Sequence, residues 1–119
     1  AARRLVLQND SVAAIEAFKQ VIALDPTSAA PHIELGNLYL DSRNLREAES
    51  EARKAVTVDA ENPGGHWLLG RVLFAQAAGA SLDQEKAREA VSEFEKVTKL
   101  DKLNFDVYRL LGRLYRGLG

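Results

Sequence analysis

A helix-like segment with a central glycine occurs three times in this chain. The copies read "HIELGNLY", "HWLLGRVL" and "YRLLGRLY", and their glycines are Gly36, Gly70 and Gly112. The first two glycines lie 34 residues apart, and the last two lie 42 apart. A glycine inside a helix costs about 1 kcal/mol relative to alanine, so its return at the same place in each copy indicates an internal repeat.

A second helical segment alternates with the first and keeps the same spacing. Its copies align without gaps and are Ser11–Pro26, Leu45–Ala60 and Ala87–Lys102. Eight extra residues near "AQAAGASLDQ" lengthen the second spacing without disturbing the register on either side. The chain is therefore predicted to be a series of two-helix units.

All strong segments have helical periodicity, and none shows the alternation of a strand. Short connections between them favour antiparallel hairpins. Capping signals precede three predicted helices, at Asn44, at Asn62 before Pro63, and at Ser81. The seven predicted helices are Ala1–Gln8, Val12–Leu24, Pro31–Asp41, Leu45–Val58, Pro63–Ala78, Leu82–Leu100 and Phe105–Leu118.

These patterns together resemble the tetratricopeptide repeat (TPR) family, whose 34-residue unit reads W-x2-L-G-x2-Y, then A-x3-F, then Pro. His or Tyr replaces the Trp here, Ala52 replaces one Phe, and Ala60 and Lys102 replace the Pro. The residues that carry the resemblance are Ala14, Phe18, Pro26, Leu35, Gly36, Tyr39, Leu69, Gly70, Ala90, Phe94, Leu111, Gly112 and Tyr115.

The resemblance implies an all-α, right-handed superhelical solenoid of antiparallel helix–turn–helix hairpins. It divides a single array over 1–119 into a half repeat with a linker (1–28), a repeat (29–62), a repeat with the eight-residue insertion (63–104) and the first helix of a further repeat (105–119). Small residues such as Gly36 and Ala48 would let paired helices approach closely.

The resemblance also implies that the first helix of each hairpin lines a concave groove. Five of the ten arginines fall on the predicted lining, beside one tryptophan and one phenylalanine. Arginine binds carboxylates with two parallel hydrogen bonds, and arginine and aromatic side chains anchor interfaces. We therefore expect a protein or peptide partner with an acidic segment and an apolar anchor. The predicted partner-binding residues are Arg3, Ile33, Asn37, Leu40, Trp67, Arg71, Phe74, Arg109, Arg113 and Arg116.

Most acidic residues fall on the second helices, which predicts an acidic convex face. These residues are Glu47, Glu49, Glu51, Glu85, Glu89, Glu93 and Glu95. The pairs four residues apart, such as Glu47 with Glu51, are expected to be solvated, because nothing nearby suggests burial. His32 and His66 lack a second ligand three or four residues away, so we expect core or interface histidines rather than metal ligands.

No nucleophile elbow, phosphate loop or metal motif is present in the sequence, so we expect neither an enzyme nor a cofactor. One specialisation of the family clamps the C-terminal carboxylates of chaperones with Lys and Asn. Asn37 matches that pattern, but Ile33 stands where the neighbouring Lys would be, which argues against it. The net charge of −1 gives no general reason to bind polyanions.

Two other functions are compatible with the sequence. A structural spacer or oligomerisation segment is favoured by the last helix, where Leu110, Leu111 and Leu114 have no covering partner, so self-association through terminal helices is expected in that case. An RNA-binding helical repeat is supported by the arginines alone, while the 34-residue period argues against it.

The sequence contains no signal peptide and no transmembrane segment, which predicts a soluble segment. It also lacks methionine, so we expect a piece of a longer protein.

Overall fold

A computed structural model describes residues 2–79 and 81–119, with side chains from Asp10 onward. Within this part of the chain there are six helices and no strand. None of the described helices is both long and apolar enough to cross a membrane. The helices are α1 (Ala2–Leu24), α2 (Ala29–Asp41), α3 (Leu45–Val58), α4 (Pro63–Ala77), α5 (Gln84–Leu100) and α6 (Phe105–Leu118).

The prediction of about seven helices is wrong, because the two helices expected before Asp25 form the single helix α1. The break was predicted at Asn9–Ser11, which contains neither Gly nor Pro. Residues of the types found there cost no more than about 0.7 kcal/mol each inside a helix, whereas proline costs about 3 kcal/mol. The chain therefore stays helical through this stretch.

The helices form a stack of antiparallel hairpins, as the repeat predicts. The most extensive contacts join α4 to α5 and α2 to α3, which are the two complete hairpins. Helix α4 also packs on α3 and α2, while α6 packs on α5 and α1 packs on α2. Each helix thus contacts its neighbours along the stack, which is the architecture of an all-α helical repeat.

The second complete hairpin absorbs its extra residues in three places. Helix α4 has 15 residues where α2 has 13, and α5 has 17 where α3 has 14. The connection before α5 is longer as well. The predicted cap at Ser81 is wrong, because Asp83 accepts a hydrogen bond from the Lys86 backbone amide at 3.2 Å and α5 begins after it. The repeat boundaries themselves stay a prediction.

Two of the three repeated glycines lie under a side chain of another helix. A Cβ on Gly70 would come within 2.6 Å of Cδ1 of Phe94 in α5. The space over Gly36 is filled by the Leu68 side chain of α4. At Gly112, by contrast, no described atom outside its own helix lies within 4 Å of such a Cβ. The glycines therefore share a register but not a packing environment.

The same substitution at two glycines is expected to change stability in opposite directions. Gly70→Ala should destabilise the fold by about 1–3 kcal/mol, because the added methyl group overpacks against Phe94. Gly112→Ala should stabilise it by up to about 1 kcal/mol, because alanine is the better helix former and the space is open. Urea unfolding followed by circular dichroism measures both values. Equal effects at the two positions would contradict this packing.

Candidate functional site

Helices α2 and α4, the first helices of the two complete hairpins, contact each other directly. The side chain of Ile33 reaches α4 at Gly64, where an added Cβ would lie 3.2 Å from Ile33 Cδ1. One turn after Ile33 on α2, the Asn37 side-chain oxygen accepts a hydrogen bond from Nη2 of the Arg71 guanidinium on α4. We call the surface formed by Ile33, Asn37, Trp67 and Arg71 the first-helix surface.

Arg71 is the one arginine of this surface, and two neighbouring side chains hold it. Its guanidinium carbon lies 5.2 Å from the centre of the Trp67 ring, which is a cation–π distance. Burial lowers the pKa of Arg71 below its ordinary value, and the negative charge of Asp41 partly opposes this effect. Arg71 Nε is buried, and among the described residues it has no hydrogen-bond partner. The side chain is therefore held in place with part of its donor set unused.

Trp67 connects the first-helix surface to the core. Its ring is half-buried and lies 5.5 Å from the ring of Phe94, centre to centre, at an interplanar angle of 47°. Tilted aromatic pairs at this distance contribute about 0.5–1.5 kcal/mol beyond the area they bury. A substitution of Trp67 would thus alter both the surface and the packing beneath it.

The other predicted site residues are more dispersed. Leu40 and Phe74 are half-buried and pack against the core. The three arginines of α6 are exposed, and Arg109 pairs with Asp106 at 3.1 Å. The side chain of Arg3 lies outside the described residues. The structure thus brings Asn37, Trp67 and Arg71 into contact, while Arg109, Arg113 and Arg116 lie on the next first helix.

Each complete hairpin also contains a buried histidine–glutamate pair that the sequence did not predict. In the first hairpin, His32 Nδ1 lies 2.9 Å from Glu51 Oε1. In the second, His66 Nδ1 lies 2.7 Å from Glu93 Oε1, and its Nε2 lies 2.7 Å from the Ala60 carbonyl oxygen. The pairs therefore join the first and second helices of a hairpin through their side chains.

A lysine completes each pair on the other carboxylate oxygen. Lys54 Nζ lies 3.2 Å from Glu51 Oε2, and Lys96 Nζ lies 2.8 Å from Glu93 Oε2. Burial alone would raise the pKa of Glu93, but the hydrogen bonds from His66 and Lys96 outweigh it and hold that pKa below its ordinary value. The carboxylate is thus stabilised in its charged form.

The expectation that Glu51 is solvated is wrong, since Glu51 and Glu93 are each only 8% exposed. They occupy the same place in their repeats, opposite the histidine four residues before the glycine. His32 and His66 each lie four residues before their glycine, and Glu51 and Glu93 also share a position within their helices. These repeated positions were the available signal. In residues 2–79 and 81–119, no three His, Cys, Asp or Glu side chains converge as metal ligands would.

On the second helices, several of the remaining acids are paired with cations. Arg53 Nε lies 2.8 Å from Glu49 Oε2, and its Nη2 lies 2.9 Å from Glu89 Oε2 on the next hairpin. The hydrogen bonds of Gln76 and Arg53 to Glu49 outweigh its partial burial and lower its pKa. This face is therefore less acidic than the number of glutamates suggests.

Comparisons with known proteins agree on one family. The tetratricopeptide repeat family model matches residues 5–72, and no curated protein sequence matches the chain. The first TPR domain of Spaghetti (RPAP3), bound to the HSP90 peptide SRMEEVD, superposes with a TM-score of 0.83 at 21% identity, covering 98% of this chain and 88% of that one.

Two further solved structures have the same fold. The second TPR domain of human RPAP3, in complex with the HSP70 peptide SGPTIEEVD, gives a TM-score of 0.77 at 21% identity over 95% of this chain and 88% of that one. YrrB, described as a TPR protein with an unusual peptide-binding site, gives 0.75 at 26% identity over 87% of this chain and 50% of that one. Since the family model covers more than half of the chain and the helices stack as hairpins, the chain belongs to the tetratricopeptide repeat family.

Proposed function

We propose that this chain is a protein-interaction module that binds an acidic segment of a partner along the first-helix surface and the arginines of α6. The TPR fold is a protein-interaction scaffold rather than an enzyme family. The observation that carries the proposal is the contact among Asn37, Trp67 and Arg71. It places an ordered cation and an aromatic ring on the helices that contact each other along the stack.

The side chain of Arg71 is already ordered before a partner binds, which favours binding. Holding a side chain in one rotamer before association removes about 0.5–1.5 kcal/mol of ordering cost for that side chain. Arg71 is fixed by Asn37 on one side and by the Trp67 ring on the other. A partner carboxylate would meet the terminal nitrogens of the guanidinium, because Nε is buried, and guanidinium–carboxylate pairs are among the stronger polar contacts.

The half-buried apolar residues beside this contact support an apolar anchor in the partner. Leu40 and Phe74 each keep part of their surface in solvent while packing on the core. A leucine- or methionine-sized side chain of the partner would cover that surface. The peptides bound by the RPAP3 domains contain paired glutamates flanked by apolar residues, which supports the same class of ligand.

Charge reversal on α6 is expected to weaken binding of an acidic peptide about tenfold or more, which corresponds to about 1.4 kcal/mol. The variant Arg113→Glu with Arg116→Glu changes two exposed side chains and should leave the fold intact. Fluorescence anisotropy with labelled SRMEEVD, and with an array of acidic peptides that each contain one apolar residue, measures the affinity.

The matched control is Arg88→Glu, an exposed charge reversal on the second helix α5, which should leave affinity unchanged. Arg71→Glu combined with Arg113→Glu tests the groove itself, with a thermal melt to confirm folding. If the peptides bind this double variant as well as the original chain, the proposed site is wrong. An affinity for single-stranded RNA that falls steeply with salt would instead favour the RNA-binding alternative.

Self-association through the terminal helices is a second proposed interaction. The expectation that Leu111 and Leu114 lack a covering partner is wrong, because they are only 6% and 3% exposed, but Tyr108 and Tyr115 on the same helix are 46% and 50% exposed. Their exposure supports a partner for α6 that does not come from the described part of the chain.

A further inference from the structure

We infer that Leu82, in the lengthened connection between α4 and α5, is a partner-binding residue that seats the apolar side chain of the acidic partner segment together with Phe74. This inference rests on the proposed function and deepens it. It names the place where the apolar anchor binds, and it adds to the site a residue that the repeat pattern does not contain.

The side chain of Leu82 reaches from the second hairpin to α6, the next first helix of the stack. A Cβ built on Gly117 would lie 3.2 Å from Leu82 Cδ2. Arg113 and Gly117 are four residues apart in α6, so they lie on the same face of that helix. Leu82 therefore lies one turn beyond Arg113, at the end of the arginines predicted to line the groove.

Phe74 lies at the same end of the groove on α4. It belongs to the last turn of that helix, and its carbonyl oxygen accepts a hydrogen bond from the Ala78 amide at 3.1 Å, where the connection begins. Gly117 belongs to the last turn of α6. Because the first helices of a repeat array run in the same direction, these two last turns lie at one edge of the stack. Phe74 and Leu82 are thus placed to receive one side chain from two directions.

The packing between first helices also changes at this place. Helices α2 and α4 contact each other directly, whereas α4 and α6 share no contact of that extent. The connection makes the contact with α6 instead, through Leu82. Leu82 is 37% exposed and Phe74 is half-buried, so both keep apolar surface that a partner side chain would cover. Arg113 is exposed one turn away and would meet an acidic residue of the same segment.

The backbone next to Leu82 is fixed before any partner binds. The Asp83 amide donates a hydrogen bond to the Ala77 carbonyl oxygen at 3.0 Å, which ties it to the end of α4. The Asp83 side chain accepts a hydrogen bond from the Lys86 amide at 3.2 Å and caps α5. The residue after Leu82 is therefore attached to both helices of the hairpin. A side chain presented from such a position loses little freedom on binding.

A thermodynamic cycle between Leu82→Ala and labelled SRMEEVD tests the contact. Leu82→Ala should weaken binding of this peptide about fivefold or more, because apolar contact is lost. Two further peptides carry alanine in place of the methionine or of the valine, and their charge is unchanged. For one of them Leu82→Ala should weaken binding only about twofold or less, since the side chain that contacts Leu82 is then absent. Fluorescence anisotropy measures all of these affinities.

The matched control is Leu103→Ala, which should leave every affinity unchanged. Leu103 is 77% exposed in the connection between α5 and α6, at the opposite end of the helices. A thermal melt of each variant confirms folding. Equal weakening for all three peptides would show that Leu82 acts only through the fold and would overturn the inference, as would an unchanged affinity of Leu82→Ala for SRMEEVD. Both results leave peptide binding itself intact. A chain that binds none of the acidic peptides would instead contradict the proposed function and this inference together.

Discussion

Replacing Phe94 by alanine is expected to destabilise the protein by about 3–5 kcal/mol. Phe94 is fully buried, lies over Gly70 and packs against the Trp67 ring. Its removal leaves a cavity between α4 and α5, the two helices with the most extensive contact. The surrounding backbone is helical and cannot easily collapse into that space. The variant should therefore lose the free energy gained by burying the phenyl ring and also bear most of the cost of the cavity left behind.

Urea unfolding followed by circular dichroism measures this loss, with Phe105→Ala as the control. Phe105 is 75% exposed at the start of α6, so its truncation should change the free energy of unfolding by no more than about 0.5 kcal/mol. A similar effect of both variants would mean that α4 and α5 are not packed as described. Adding Gly70→Ala to Phe94→Ala should cost less than Gly70→Ala alone, because the methyl group then enters the cavity.

The repeat architecture could be predicted because several weak signals return at one spacing. A single helix-interior glycine is ambiguous, but Gly36 and Gly70 lie 34 residues apart and are followed by Ala48 and Ala90 at the matching position of the next helix, which specifies a hairpin unit. The bounds of α3 and α6 follow directly from this pattern. What the pattern does not specify is where a helix starts when its connection is irregular, as at Asp83.

The continuity of α1 could not be predicted from local propensity alone. Asn, Asp and Ser side chains resemble a cap when read alone. Inside a helix they cost little individually, and nothing in the stretch between Gln8 and Val12 forces a turn.

The contact between Asn37 and Arg71 could be predicted from the repeat, but the burial of the residues around it could not. The shared position of Asn37 and Arg71 in their repeats placed them side by side, and the structure shows them in contact. The sequence did not indicate that Arg71 is half-buried or that Trp67 reaches Phe94, because one-dimensional spacing does not show depth. For the same reason the spacing of Glu47 and Glu51 predicts two solvated side chains, whereas Glu51 is buried.

Removing the Glu93 side chain is expected to have the second large effect on stability. Glu93→Ala should destabilise the protein by about 3 kcal/mol at neutral pH, since it leaves the buried His66 without its partner and removes the acceptor of Lys96. Chemical denaturation at pH 7 measures the loss. The control is Glu34→Gln, an exposed change on α2 that should stay within about 0.5 kcal/mol.

The charge of Glu93 can be separated from its shape by comparing the original chain with Glu93→Gln across pH. The folded pKa of Glu93 lies below its ordinary value of 4.5, so the charged form stabilises the fold. That contribution is fully present well above pH 4.5 and disappears as the pH falls through the lower, folded value. The stability difference between the two proteins should therefore be fully developed well above pH 4.5 and shrink as the pH falls through the lower, folded pKa of Glu93. A difference that instead grows with acidification would show that Glu93 does not stabilise the hairpin through its charge.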